Sequence, residues 1–225
     1  MILASALSIP YGALRAMRNA AVALMLTGLP ALAETKTLLA LGDSLTQGYG
    51  LPQEQGFVPQ LQTWLQAQGA DVKVINAGVS GDTTAGGVSR LDWSLTPEVD
   101  AMIVNLGGND LLRGINPANS RANLDKILAT AQARNLPVLL VGLRAPGNYG
   151  PDFKAAFDAM YPDLAAQYGV DLEMSFFAPL MADGDGRFEA ETMQPDGIHP
   201  SAQGVALIVQ GMGPKVLALL AKVPD

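Results

Sequence analysis

The sequence predicts an α/β fold, a three-layer α/β/α arrangement in which helices cover both faces of a mostly parallel sheet. Three observations carry this reading. Short apolar runs recur without the polar alternation of a half-exposed strand. Segments of helical periodicity separate them, and the connections between the two are short.

Residues 37–41 form the first run. Phe57, Leu61, Trp64 and Leu65 follow at helical spacing, ahead of a second run at 72–75. A third run at 101–106 precedes helical spacing at Leu124, Ile127, Leu128 and Ala131, and a fourth occupies 137–143. A helix is predicted over about 151–167 and a last one over 201–220. The latter carries Val205, Ile208, Val209, Met212 and Val216 on one side, with Gly213-Pro214 as a candidate kink. Asp183-Gly184-Asp185-Gly186 reads as a surface turn. Neither a tandem repeat nor a linker interrupts the pattern, so 34–225 is expected to be one domain.

At 225 residues and 49% hydrophobic, the chain can bury one sizeable core. A net charge of -7 repels polyanions, so no nucleic-acid partner is expected. The absence of cysteine removes thiol nucleophiles, disulfides and thiolate metal sites, and a single histidine excludes a multi-histidine zinc cluster. Asp183 and Asp185 lack the glutamate spacing of an EF-hand. No metal and no cofactor is expected.

The first 33 residues read as a signal peptide. Arg15 and Arg18 precede an apolar run, 20–32, which ends in Ala31-Leu32-Ala33 before Glu34. The run is short for a membrane span and broken by Gly28 and Pro30, so cleavage after Ala33 is expected rather than a stable anchor. Met17 is a more natural start than Met1, and a lipoprotein is excluded for want of cysteine. Cleavage removes two arginines and no acid, taking the charge from -7 to -9. The expected destination is the periplasm or the exterior; a mature form retaining Met1 or Met17 contradicts this.

In a parallel sheet, residues just past the carboxyl ends of the strands converge on one crevice. Gly42-Asp43-Ser44 follows the first run, the segment 76–82 the second, and Gly107-Gly108-Asn109-Asp110 the third. A serine hydroxyl needs a proton acceptor to become a nucleophile, and His199 is the one imidazole available. Asp196, three residues before it, can orient the ring, so Ser44, Asp196 and His199 form a candidate triad in the order Ser, Asp, His. Gly81 offers a backbone N–H to an oxyanion, and Asn109 a side-chain amide.

Each part has a plainer explanation: Ser44 as a helix cap, Asp82 or Thr83 as another, Asn109 and Asp196 as turn formers, His199 as a surface residue. Ser80 and Ser89 are competing serines, though neither completes a Gly-x-Ser-x-Gly elbow. A non-catalytic exported binding protein on this fold is the alternative of another class.

Four ordered blocks nonetheless cover nearly the whole chain after residue 33: Gly42-Asp43-Ser44-Leu45, Ser80-Gly81-Asp82-Thr83, Gly107-Gly108-Asn109-Asp110 and Asp196-Gly197-Ile198-His199-Pro200. In these the chain resembles the GDSL family of serine esterases and lipases, in its SGNH-hydrolase branch. The resemblance implies a flavodoxin-like sheet, Ser44 as nucleophile, Asp196 and His199 completing the triad, and oxyanion donors from the Ser44 and Gly81 backbones and the Asn109 side chain.

Further segments, 106–114, 143–150 and 156–162, are similar to the periplasmic thioesterase, lysophospholipase and arylesterase group. The middle one implies an acyl-pocket wall carrying Arg144, Pro146, Asn148 and Tyr149. Gly78 stands where some relatives carry serine, a departure expected to alter the flexibility of the oxyanion loop. The expected reaction is hydrolysis of small acyl or thioesters, such as lysophospholipids or aryl esters, by a monomer. A carbohydrate acetylesterase is the alternative, although aromatic residues at 6% supply no evident sugar platform. An imidazole base implies a rate that rises with pH, and a flat profile between about pH 5 and 8 contradicts it.

Overall fold

The computed structural model describes residues 35–181 and 188–224. Strand β1 (Lys36–Gly42) buries Leu38, Leu39, Ala40 and Leu41 completely: β2 (Val72–Gly78) and β3 (Ala101–Asn105) pair with its two edges in parallel, and both faces of the sheet are covered. β4 (Val138–Val141) and β5 (Asp171–Glu173) extend the sheet to the order β2-β1-β3-β4-β5, and every pair is parallel.

The connecting helices are α1 (Ser44–Gln47), α2 (Phe57–Ala67), α3 (Thr84–Ser89), α4 (Leu91–Ser94), α5 (Gly108–Leu112), α6 (Pro117–Ala133), α7 (Pro151–Tyr168) and α8 (Ala202–Leu220). α2 packs on α8, while α6 packs on both α3 and α7, giving the two helical layers of a three-layer α/β/α fold.

Local chemistry explains the boundaries. Asn116 accepts from the Ala118 N–H ahead of α6, with Pro117 at its first position, and Ser201 accepts from the Gly204 N–H to start α8. Val205, Ile208, Val209, Met212 and Val216 are buried, as their spacing predicts. α8 runs on through Gly213-Pro214 as one helix, and Gly213 serves packing, since a Cβ there would stand 2.5 Å from the Trp64 ring.

β2 extends three residues beyond the predicted run, and β5 was not predicted. As an edge strand β2 buries Val72 and Val74 but exposes Lys73, and its last residues are held by pairing to β1 rather than by their own hydrophobicity. The strand order reverses between β1 and β3, which is where ligands bind in such sheets. Register places Gly42 level with Gly78 on one side and Asn105 on the other. The three loops that follow therefore begin at one edge.

Candidate active site

β1 ends at Gly42, where a Cβ would lie 2.0 Å from Thr46 Oγ1 and 2.8 Å from the Asn105 carbonyl. Only glycine lets the chain turn there directly into α1. Asp43 caps that helix, its Oδ1 accepting from the Leu45 N–H at 3.0 Å. The capping role is thus filled by the aspartate, and Ser44 is the first residue of the helix. Its Oγ lies 2.9 Å from His199 Nε2.

An antiparallel bridge between Met193 and Pro200 closes the loop that carries the histidine. Asp196 Oδ1 accepts from the N–H groups of His199 (3.0 Å) and Ile198 (2.9 Å), and Oδ2 lies 2.7 Å from His199 Nδ1. The main-chain and ring N–H groups of His199, in that order, hold the Asp196 carboxyl down at about 2, against the opposing effect of partial burial. An ionised carboxylate can only accept, so Nδ1 carries the hydrogen and the Nε2 lone pair faces the Ser44 hydroxyl.

Gly78 begins the second loop. A Cβ there would stand 2.3 Å from the Gln47 backbone nitrogen, so this glycine sets how closely the loop lies against α1. Gly81 adopts φ +84°, and its carbonyl accepts from Arg113 Nη2 at 2.8 Å. Asn109 Nδ2 donates to the Asp82 carbonyl at 2.9 Å. An amide nitrogen carries two hydrogens, so that bond orients the group and leaves the second available.

Below the loop, Arg90 pairs through Nε with Asp82 Oδ2 (2.6 Å) and donates to the carbonyls of Ala77 and Gly42, each at 2.8 Å. One guanidinium fork therefore ties the second loop to the end of β1. Thr83, not Asp82, caps α3. Ser80 Oγ donates to Gln47 Oε1 and Ser89 Oγ to the Gly86 carbonyl, so both competing serines are engaged away from the imidazole.

The third loop is built on packing. Gly107, at φ +119°, lies against the Tyr161 hydroxyl, which donates to the Leu106 carbonyl at 3.1 Å. Buried Asp110 accepts from the Thr84 N–H and hydroxyl and from the Ser120 hydroxyl, anchoring α5 to α3 and α6. Asn109 precedes it on a helix that has little freedom to shift.

A crevice of about 510 Å³ opens above these residues. Asp43, Ser44, Gly108 and Asn109 line it on the strand side, and Leu111, Leu143, Phe177, Phe188 and Met193 make it predominantly apolar. Arg144 and Pro146 line it as expected, whereas Asn148 and Tyr149 do not. Tyr149 turns away, its hydroxyl donating to the Leu112 carbonyl at 3.2 Å and its ring packing on Phe153. Gly81 also stands outside the lining. Among the described residues no cluster of three potential metal ligands occurs; Asp183 and Asp185 lie outside those residues, as do the proposed signal segment and the 183–186 turn.

Asp43 is a feature the sequence did not disclose. It is 1% exposed, and burial pushes its carboxyl up to about 6, against the lowering effects of the Leu45 N–H and the nearby imidazole. Between about pH 4 and 6 the folded protein holds a proton that the unfolded chain releases, so this group's contribution to stability falls as pH rises through that window. The difference amounts to about 3 kcal/mol once both states are ionised. Asn caps helices as well as Asp does. Asp43→Asn is therefore expected to match the parent in urea midpoint near pH 4 and exceed it above pH 7. A parent-to-variant difference that ignores pH contradicts this.

Residues 40–207 match the GDSL-like Lipase/Acylhydrolase family. Esterase TesA of Pseudomonas aeruginosa is 40% identical over 205 residues, covering 88% of this chain and 99% of that protein. The thioesterase 1/protease 1/lysophospholipase L1 of Escherichia coli K12 is 35% identical over 189 residues, 84% of this chain and 86% of that protein. Among solved structures, the psychrotrophic esterase EstA from Pseudoalteromonas sp., determined with monoethylphosphonate as inhibitor, superposes with a TM-score of 0.74 at 34% identity. That match covers 83% of this chain and all of the other.

Proposed function

The chain belongs to the GDSL-like Lipase/Acylhydrolase family, whose relatives are ester hydrolases, and on that premise we propose that Ser44, His199 and Asp196 carry its chemistry. The observation that carries the reading is the 2.9 Å approach of Ser44 Oγ to His199 Nε2, from positions 155 residues apart. As Ser44 Oγ bonds to the ester carbonyl carbon, its proton passes to Nε2, and Asp196 stabilises the resulting imidazolium. The carbonyl oxygen, now negative, takes hydrogen bonds from the Ser44 and Gly81 N–H groups and the free hydrogen of Asn109. The alcohol leaves with the proton from Nε2. Water then adds to the acyl-enzyme by the same route, releasing the acid and restoring Ser44.

The apolar crevice supports acyl chains as substrate, with lysophospholipids, aryl esters and thioesters as the class. Arg144 and Pro146 bound it on one side; Asn148 and Tyr149 would contribute only by backing that wall. Acetyl, octanoyl and palmitoyl esters of one alcohol test this. Octanoyl is expected to exceed acetyl in kcat/KM, because each methylene buried contributes about 0.8 kcal/mol of binding. A sharp preference for acetyl groups on sugars would contradict the acyl-chain reading. Residues 1–33 are proposed to direct export to the periplasm or beyond, leaving 34–225 as a monomeric catalytic domain without a membrane anchor.

A further inference from the structure

The Asp196–His199 pair spans three residues and fixes the imidazole relative to its own loop only. Nothing in that pair sets the distance from the loop to α1, where the serine stands. The two segments meet instead through Gln194 and Tyr49. Tyr49 N–H donates to the Ser44 carbonyl at 3.1 Å, and Gln194 Nε2 donates to the Tyr49 carbonyl at 2.8 Å. Gln194 N–H in turn donates to the His199 carbonyl at 2.8 Å. With the Ser44 Oγ to His199 Nε2 contact these bonds close a ring: serine, tyrosine, glutamine, histidine and back.

Both amide hydrogens of Gln194 are used, the second on the Pro200 carbonyl at 3.0 Å, so the side chain has no spare donor with which to swing away. Gly50, at φ +77°, lets the chain pass close beside it; a Cβ there would lie 2.2 Å from Gln194 Oε1. The Tyr49 ring lies over the imidazole, with centroids 4.7 Å apart and planes tilted by 38°.

Resting on the triad reading above, we propose that Gln194 is a positioning residue that sets the separation between Ser44 and His199, with the Tyr49 ring backing the imidazole. A side-chain hydrogen bond contributes modestly to stability, whereas a misplacement of about 1 Å between reacting groups can cost about 100-fold in rate. The two effects can be separated. A merely structural glutamine would show its loss in folding; a positioning one shows it in turnover.

Gln194→Met keeps the length of the side chain and removes both donors. With a nitrophenyl ester it is expected to lower kcat about 10- to 100-fold with KM within about twofold. The single histidine gives one assignable imidazole in ¹⁵N spectra. Its Nδ1 signal is expected to persist, since the Asp196 bond is local, while the Nε2 signal shifts. A folded Gln194→Met protein with kcat within twofold of the parent overturns the proposal. Should that variant fail to fold, Gly50→Ala decides the matter by crowding Gln194 and straining the main chain beside Tyr49 while leaving the glutamine donors in place, and an unchanged kcat there overturns the proposal equally. Ser44→Ala belongs in the same assay: an inactive Ser44→Ala beside a fully active Gln194→Met removes the tie alone, whereas an active Ser44→Ala removes the triad reading with it.

Discussion

Replacing His199 with alanine is expected to lower kcat for a nitrophenyl ester by about 10⁴- to 10⁶-fold. The chain has no second imidazole to take its place, and Asp196 is turned toward Nδ1 rather than toward the serine. Ser44→Ala should cost a similar amount. The double variant should cost no more than either, because serine and base act as one unit and the first loss already removes the proton-transfer path. The fold should survive, for the loop is closed by main-chain bonds, Gln194 N–H to the His199 carbonyl and Ser201 N–H to the Thr192 carbonyl, that need no imidazole. Kinetics with circular dichroism on all three proteins check this. His199→Ala retaining more than about a hundredth of parental kcat contradicts it.

Asn109→Ala is expected to lower kcat about 10²- to 10³-fold while changing KM little, because its free hydrogen bonds an oxygen that becomes negative only along the reaction path. Its other hydrogen holds the Asp82 carbonyl, so alanine also loosens the second loop. Asn109→Asp loses the same two donors, since a carboxylate can only accept, and in addition sets a negative charge against the developing oxyanion, so it should be at least as slow as alanine. Unchanged kcat in Asn109→Ala removes the residue from the oxyanion site.

The sheet and the main helices were legible in the sequence because their signal is local. Apolar runs such as 101–106 and the spacing Val205, Ile208, Val209, Met212 reflect faces that must be buried wherever the element lies. β5 was not legible: Asp171-Leu172-Glu173 has no run of its own, and its strand geometry comes from pairing with β4. The candidate site divides the same way. Ser44, Asn109 and His199 could be read from their place after strands and from the scarcity of histidine.

The residues that hold the site in register could not be read. Arg90 and Gln194 donate to carbonyls far away in the chain, Tyr49 meets distant residues through its own carbonyl and its ring, and no spacing announces such partners. Glycines on either side of Tyr49, both at positive φ, were the one local hint. Asp43 was hidden for a different reason: its burial depends on Gly108 passing within reach of its carboxylate, a contact made only once β1 and β3 have paired. The wall formed by Phe177, Phe188 and Met193 comes from chain beyond β5 and was likewise invisible, whereas Asn148 and Tyr149, which the family resemblance implied alongside Arg144 and Pro146, do not line the crevice.

One serine, brought against the sole imidazole, is the proposed nucleophile. Labelling with a fluorophosphonate and locating the adduct by mass spectrometry of the digested protein tests it most directly. A single adduct on Ser44 is expected, absent from Ser44→Ala and slowed at least 100-fold in His199→Ala. An adduct on Ser80, Ser89 or any other residue, or undiminished labelling of Ser44→Ala, would contradict it.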